Sequence, residues 1–270
     1  MGQSEKATAF DAIATMFTNG QMGNGLGGIP AHPEASHEQP KKRPSPTSLS
    51  TQRISSQDGD CPMRLLVSGG TKTVMRLATT NQDQLGVLLT PNAGNSISWI
   101  NRTGLAWGVD NAAFSGFDAE KFRAMLKKIK ANNGRPVFIV APDVVANADL
   151  TLGLFEQWRE EVRETGPVAL VLQDGQEDRD LPDADAFFIG GSTKFKLSRA
   201  VGELCEEIRY RYPKRWLHMG RVNSFRRFQA AIDLHCDSVD GSSASRFSET
   251  WVPKYLKWIK RIETQPVLGW

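Results

Sequence analysis

Eight short apolar runs, each followed by a longer stretch of different spacing, occupy the chain from Pro62 onward. They cover residues 65–67, 85–89, 105–109, 137–140, 168–172, 186–189, 216–219 and 236–239. The runs are nearly continuous in apolar residues, so each reads as a strand covered on both faces, as in a parallel sheet. Helical spacing fills 71–80, 96–102, 118–132, 150–164, 196–212, 224–234 and 251–262. The acidic, proline-bearing link 174–185 has room for one helical turn at most. Eight strand–crossover units predict an α/β fold, a (β/α)8 TIM barrel over 62–270, with an open doubly wound sheet as the competing arrangement.

Residues 1–61 follow different rules. Glycines crowd 20–28, five prolines lie between Pro30 and Pro46, and only 7–17 has the apolar spacing of a short helix. Such a segment buries too little apolar surface to offset its ordering entropy, so a mostly disordered N-terminal tail is expected. The rest of the chain carries 28 basic against 24 acidic side chains. A solvated surface explains that mild excess as well as a polyanionic partner does. No apolar run nears the roughly 18 residues that span a bilayer. No basic-then-apolar leader opens the chain, and Cys61, Cys205 and Cys236 form no CxxC pair. The expectation is a cytoplasmic protein with no membrane partner and no disulfide framework.

In a barrel, the residues just past each strand converge on one mouth. Here they are Asp110 to Phe114, Pro142-Asp143, Gln173-Asp174-Gly175, Gly190-Gly191-Ser192, Met219-Gly220-Arg221, and finally Asp237 and Asp240. One Asp after a strand is ordinarily a helix cap, and Asp118 before Ala119-Glu120 is expected to be one. Several carboxylates at one mouth repel each other. At least one pKa should rise, which supplies an acid/base group beside an ionised nucleophile. His218 and His235 fall within or at the start of strands and are expected to be packed inside. Ser68-Gly69-Gly70-Thr71 lacks the phosphate-loop spacing and reads as a tight turn.

The order Asp–Phe, Asp, Gln, Gly-Gly, Met-Gly, Asp…Arg across 85–262 resembles the tRNA-guanine transglycosylase (queuine tRNA-ribosyltransferase) superfamily. Within it, the short Asp110-Asn111-Ala112-Ala113-Phe114 form is most similar to the phage DNA-guanine transglycosylases, the deoxypurine-in-DNA protein A group. The resemblance implies that Asp237 is the nucleophile and Asp110 the general acid/base. It implies that Asp143 reads the N1/N2 edge of guanine, that Gln173, Gly190 and Gly191 meet O6, and that Phe114 and Met219 sandwich the base. Two departures stand out. The family's Cys-x-Cys-x-x-Cys…His site is absent, so neither a zinc ion nor any other cofactor is expected. Asn-Ala-Ala replaces the family's Ser-Gly-Gly after the first aspartate.

The implied reaction replaces guanine in DNA with a free 7-deazaguanine, expected to be 7-cyano-7-deazaguanine (preQ0), through a covalent Asp–deoxyribose intermediate. A duplex guanine must be flipped into the pocket, and basic residues at the mouth would meet the phosphates. The candidates are Lys194, Lys196, Arg199, Arg221, Arg226, Arg227 and Arg246, each also readable as a solvated helix charge. For a phage-encoded enzyme the location would be the host cytoplasm. Alternatives are the same exchange on tRNA, N-glycoside hydrolysis, and a catalytically inactive nucleic-acid-binding barrel. The oligomeric state stays open.

Overall fold

Eight parallel strands alternate with helices and close on themselves in a computed structural model that describes residues 63–69, 71–92 and 96–264. The expected tail, its short helix and part of the Ser68–Thr71 turn lie outside the described residues. The strands are β1 (Arg64–Val67), β2 (Leu85–Leu89), β3 (Ala106–Val109), β4 (Phe138–Val140), β5 (Val168–Leu172), β6 (Ala186–Ile189), β7 (Trp216–Met219) and β8 (Ser238–Asp240). The helices are α1 (Thr71–Ala78), α2 (Ile97–Thr103), α3 (Ala119–Ala131), α4 (Ala148–Arg163), α5 (Thr193–Lys196), α6 (Arg199–Arg211), α7 (Phe225–Asp233), α8 (Ser242–Arg246) and α9 (Ser248–Thr264). Closure is explicit: β1 pairs with β2 and also with β8, where Leu66 lies opposite Asp240. The chain is therefore a (β/α)8 barrel and not an open sheet.

Local chemistry sets most of the boundaries. Asp118 caps α3 by accepting from the Lys121 amide at 3.0 Å, and Asn147 caps α4 through the Leu150 amide at 3.0 Å. On α3 the residues Phe122, Met125, Leu126 and Ile129 are buried, the spacing of one helix face. The helix expected over 196–212 is interrupted instead. Ser198 turns its hydroxyl to the Val201 amide (3.3 Å) and starts α6 afresh, leaving Lys196 at the end of the separate α5. The acidic link contains a single turn of 3-10 helix, Gln176–Asp178, as its composition predicted. Among the described residues, no helix is long and apolar enough to cross a membrane.

Side-chain parity decides what reaches the barrel axis. Leu66, Leu88, Phe138, Val140, Ala169, Val171 and Ala186 form the interior cluster, with Phe188 and Trp216 packed against it. Successive strand residues point to opposite faces, so Trp216 and His218 face inward on β7, and Ser238 and Asp240 on β8. Gly108 occupies an inward position of β3 where a Cβ would come within 2.5 Å of the Phe138 ring. Met219 has the opposite parity from His218 and is fully buried, and it takes no part in the pocket wall. Its expected place against a substrate base is thereby corrected.

Candidate active site

At the C-terminal mouth a pocket is lined by Asp110, Asp143, Gln173, Gly190, Lys196 and Asp240, among others. They come from the ends of β3, β4, β5, β6 and β8, with Lys196 reaching in from α5, which follows β6. A separate hollow beside Leu89, Ile97, Met125 and Lys128 contains no carboxylate.

Asp110 follows β3, where its amide donates to Leu89 O (2.7 Å) and its Oδ1 accepts from Ala112 N (3.1 Å). Burial pushes its carboxyl up from the ordinary 3.8 to about 7, and the charges of Asp240 and Asp143 add to the rise against the Ala112 amide. Ala112 itself has φ 63, a left-handed conformation that costs a residue with a Cβ free energy. It stands where the resembled family has glycine.

Asp143 is held from both sides. Asn111 Nδ2 donates to its Oδ1 at 2.7 Å and Gln173 Nε2 to its Oδ2 at 2.6 Å. Burial raises its pKa, and these two amides oppose the rise. Asn111 is itself fixed, by donating to Ala141 O (2.6 Å) and accepting from Ala113 N (2.7 Å). Gln173 Oε1 accepts from Ala146 N at 2.9 Å. Sequence reasoning passed over Asn111. Its signal was an amide directly after a strand-end carboxylate, buried among apolar neighbours.

Behind the Gly190-Gly191 turn, Asp174 accepts from both Ser192 N (2.7 Å) and Ser192 Oγ (2.6 Å), which ties the fifth and sixth loops together. A Cβ on Gly190 would approach Val171 to 2.5 Å and Gln173 Nε2 to 2.9 Å, so only glycine leaves this wall open.

Asp237, expected as the nucleophile, is not at the mouth. It precedes β8 at the N-terminal end of that strand, where its Oδ2 accepts from Leu217 N (2.7 Å) and Arg209 Nη2 (2.9 Å). Arg209 also donates to the carbonyls of Arg215 and His235, so the pair fastens α6 to the starts of β7 and β8. The carboxylate that does reach the pocket is Asp240, the last residue of β8. Three residues of extended chain, about 10 Å, separate the two. Asp240 Oδ1 accepts from His218 Nε2 (3.1 Å) and Arg221 N (3.0 Å). No described residue bonds Oδ2. Asp237→Asn is expected to lower unfolding free energy by about 1–3 kcal/mol, since the amide cannot accept from both donors with equal charge. Denaturant unfolding checks this, and an unchanged midpoint would remove the structural assignment.

The basic candidates separate into three groups. Lys196, 3% exposed, lies in the pocket wall and donates to Gly220 O at 2.8 Å. Burial lowers its ammonium to about 8, against the attraction of Asp240. This placement corrects its reading as an outer phosphate contact. Arg221, at the rim, lays its guanidinium 3.8 Å over the ring of Phe114, which is 67% exposed, while Arg227 Nη1 holds Arg221 O at 2.7 Å. Lys194, Arg226 and Arg246 are exposed, with no hydrogen bond or ion pair to any described residue. Arg199 pairs with Glu203 at 2.8 Å on the outer surface. Among the described residues, no group of three His, Cys, Asp or Glu side chains is placed to hold a metal ion.

Comparison of the chain with models of known protein families finds no match, and comparison with curated proteins finds none.

Proposed function

We propose that the chain exchanges guanine in DNA for a free 7-deazaguanine, by way of an ester between Asp240 and the deoxyribose C1′. The observation carrying this reading is that three carboxylates meet in one pocket in three different states. Asp240 has one oxygen held by donors and the other without a partner among the described residues. Asp110 titrates near neutrality. Asp143 is oriented by two amides, with both oxygens fixed.

The chemistry follows from those states. Asp240 Oδ2 attacks C1′ as the C1′–N9 bond breaks, and its charge stabilises the oxocarbenium character that develops. Guanine leaves as a neutral base with the proton of Asp110. The incoming base gives its N9 proton back to Asp110, and N9 then displaces Asp240 from C1′. Asp143 accepts from N1–H and the exocyclic amine, which both bases share. Phe114 and Arg221 offer a stacking surface at the rim for a flipped nucleotide or its neighbour. The choice of DNA over tRNA, and of preQ0 as the incoming base, rests on the resemblance of Asp110 to Phe114 to the phage enzymes.

The direct test is incubation with guanine-labelled DNA or tRNA in the presence of preQ0. Label release from DNA that depends on preQ0 supports the reading. Release without preQ0 makes the chain a hydrolase, release from tRNA alone shifts the polymer, and no release leaves a binding barrel. For Asp143→Asn, the new amide N–H opposes the amine of the base. Calorimetric preQ0 affinity is therefore expected to fall about tenfold to a hundredfold. Binding as tight as wild type would remove Asp143 from recognition.

A further inference from the structure

Beneath the pocket, the barrel interior carries a chain of hydrogen bonds that base exchange as described does not use. Trp216 Nε1 is 2.7 Å from Ser238 Oγ, Ser238 Oγ is 2.7 Å from His218 Nδ1, and His218 Nε2 is 3.1 Å from Asp240 Oδ1. His218 and Ser238 have no exposed surface. The donors can be counted. An indole N–H only donates, so Ser238 Oγ accepts from Trp216. Among the described residues, the Ser238 hydroxyl proton then has His218 Nδ1 as its remaining partner, and an unpaired buried proton would be costly. Nδ1 is therefore an acceptor, and the ring proton sits on Nε2, directed at Asp240. The imidazole is neutral and packs against the rings of Phe138 and Phe188, with centroids at 5.2 and 4.7 Å.

We infer that His218 is a positioning residue for Asp240, a neutral Nε2–H donor that fixes Oδ1 and leaves Oδ2 as the attacking oxygen. The inference rests on the base-exchange reading. Two donors converge on Oδ1, because the Arg221 amide, aimed by a left-handed φ of 58, reaches the same atom at 3.0 Å. A neutral donor orients a carboxylate without cancelling its charge. An imidazolium there would hold the carboxylate equally well but would blunt it as a nucleophile. Trp216 and Ser238 act one step further back, by specifying which ring nitrogen carries the proton.

Two measurements on the full chain test this. Nitrogen-15 NMR of histidine-labelled protein is expected to show His218 as the neutral Nε2–H form, with the Nδ1–H form appearing in Ser238→Ala. Rapid-quench trapping of the DNA adduct is expected to show His218→Leu slowed about ten- to hundredfold, with KM for DNA changed less than about twofold. His218→Gln, which keeps an N–H near the Nε2 position, is expected to recover most of that rate. A ring protonated on both nitrogens, or on Nδ1 alone, overturns the proposal whatever the activity. So does a folded His218→Leu with the wild-type adduct rate, or an equal loss in the Leu and Gln variants. A wild-type chain that forms no adduct sinks the exchange reading and this role with it. An intact Nε2–H signal tells that outcome apart from a wrongly assigned hydrogen-bond chain.

Discussion

Asp240→Asn is expected to abolish base exchange by a factor of about a thousand or more while the barrel stays folded. The amide preserves volume, and its Oδ1 still accepts from His218 and Arg221, so local structure has no reason to change. What the pocket loses is the free, charged Oδ2. An amide nitrogen there cannot form the ester with C1′. Removing the charge also eases the repulsion on Asp110, so the variant should melt no lower than wild type and can melt higher, the usual cost of a built active site in reverse. Denaturing gels of the DNA adduct and thermal unfolding read the two effects separately. Asp237→Asn should show the mirror image, with weakened folding and kcat within several-fold of wild type. An active Asp240→Asn would return the nucleophile to Asp237 and sink the pocket assignment.

Those two aspartates also show what a sequence can and cannot disclose. The barrel was legible because eight apolar runs, each too continuous for a half-exposed strand, demand two covering layers, and the described strands fall on those runs. The carboxylates Asp110 and Asp143 and the amide Gln173 were legible for the same reason, since Asp110 and Gln173 directly follow a run whose end the pattern marks and Asp143 lies three residues past one. The eighth run failed at its boundary. Residues 236–239 are apolar enough to be a strand, but Cys236 instead donates its amide to Ala231 O, in the turn leaving α7, and pairing begins at Ser238. That shift leaves Asp237 ahead of the strand, so that of the two aspartates expected at the mouth only Asp240 lines the pocket. Parity caused the second error, because Met219 and His218 are neighbours on opposite faces and the motif order says nothing about which face is inward. Lys196 was misplaced by a helix break that only the Ser198 cap reveals. His218 is buried as its place within a strand predicts, but its role and that of Asn111 consist of holding other side chains, a property of three-dimensional contact that the sequence order does not disclose.

Asp110 is expected to give the two half-reactions opposite dependences on pH. Burial and the charges of Asp240 and Asp143 hold its carboxyl at about 7 in the free protein, so near neutrality it is a reservoir of acid. Formation of the Asp240 ester needs that proton for the leaving guanine, and its single-turnover rate should fall as pH rises through about 7. Esterification then removes the charge of Asp240. One cause of the elevated pKa disappears, Asp110 becomes the stronger acid, and at the same pH its carboxylate prevails. The second half-reaction needs that carboxylate to take N9–H, so its rate should fall as pH drops, with a midpoint below that of the first. Asp110→Asn should slow both steps by about two to four orders of magnitude and flatten both profiles, while preQ0 binding survives. Stability supplies an independent reading. The folded pKa lies above the ordinary 3.8, so between those values the native state holds a proton that the unfolded chain has released. Stability should therefore decline as pH rises from about 4 to 7 and level off above, the slope being negative because the native state binds the extra proton. Asp110→Asn lacks that slope. At pH 8 the variant should be more stable than wild type by on the order of 1–3 kcal/mol, discounted from full burial because the carboxyl opens onto the pocket. Rapid-quench kinetics on preformed adduct and on free protein, with urea unfolding across the same range, check all three expectations. Coincident midpoints for the two half-reactions would show that the charge of Asp240 does not govern Asp110, and would leave the exchange without its switch from acid to base.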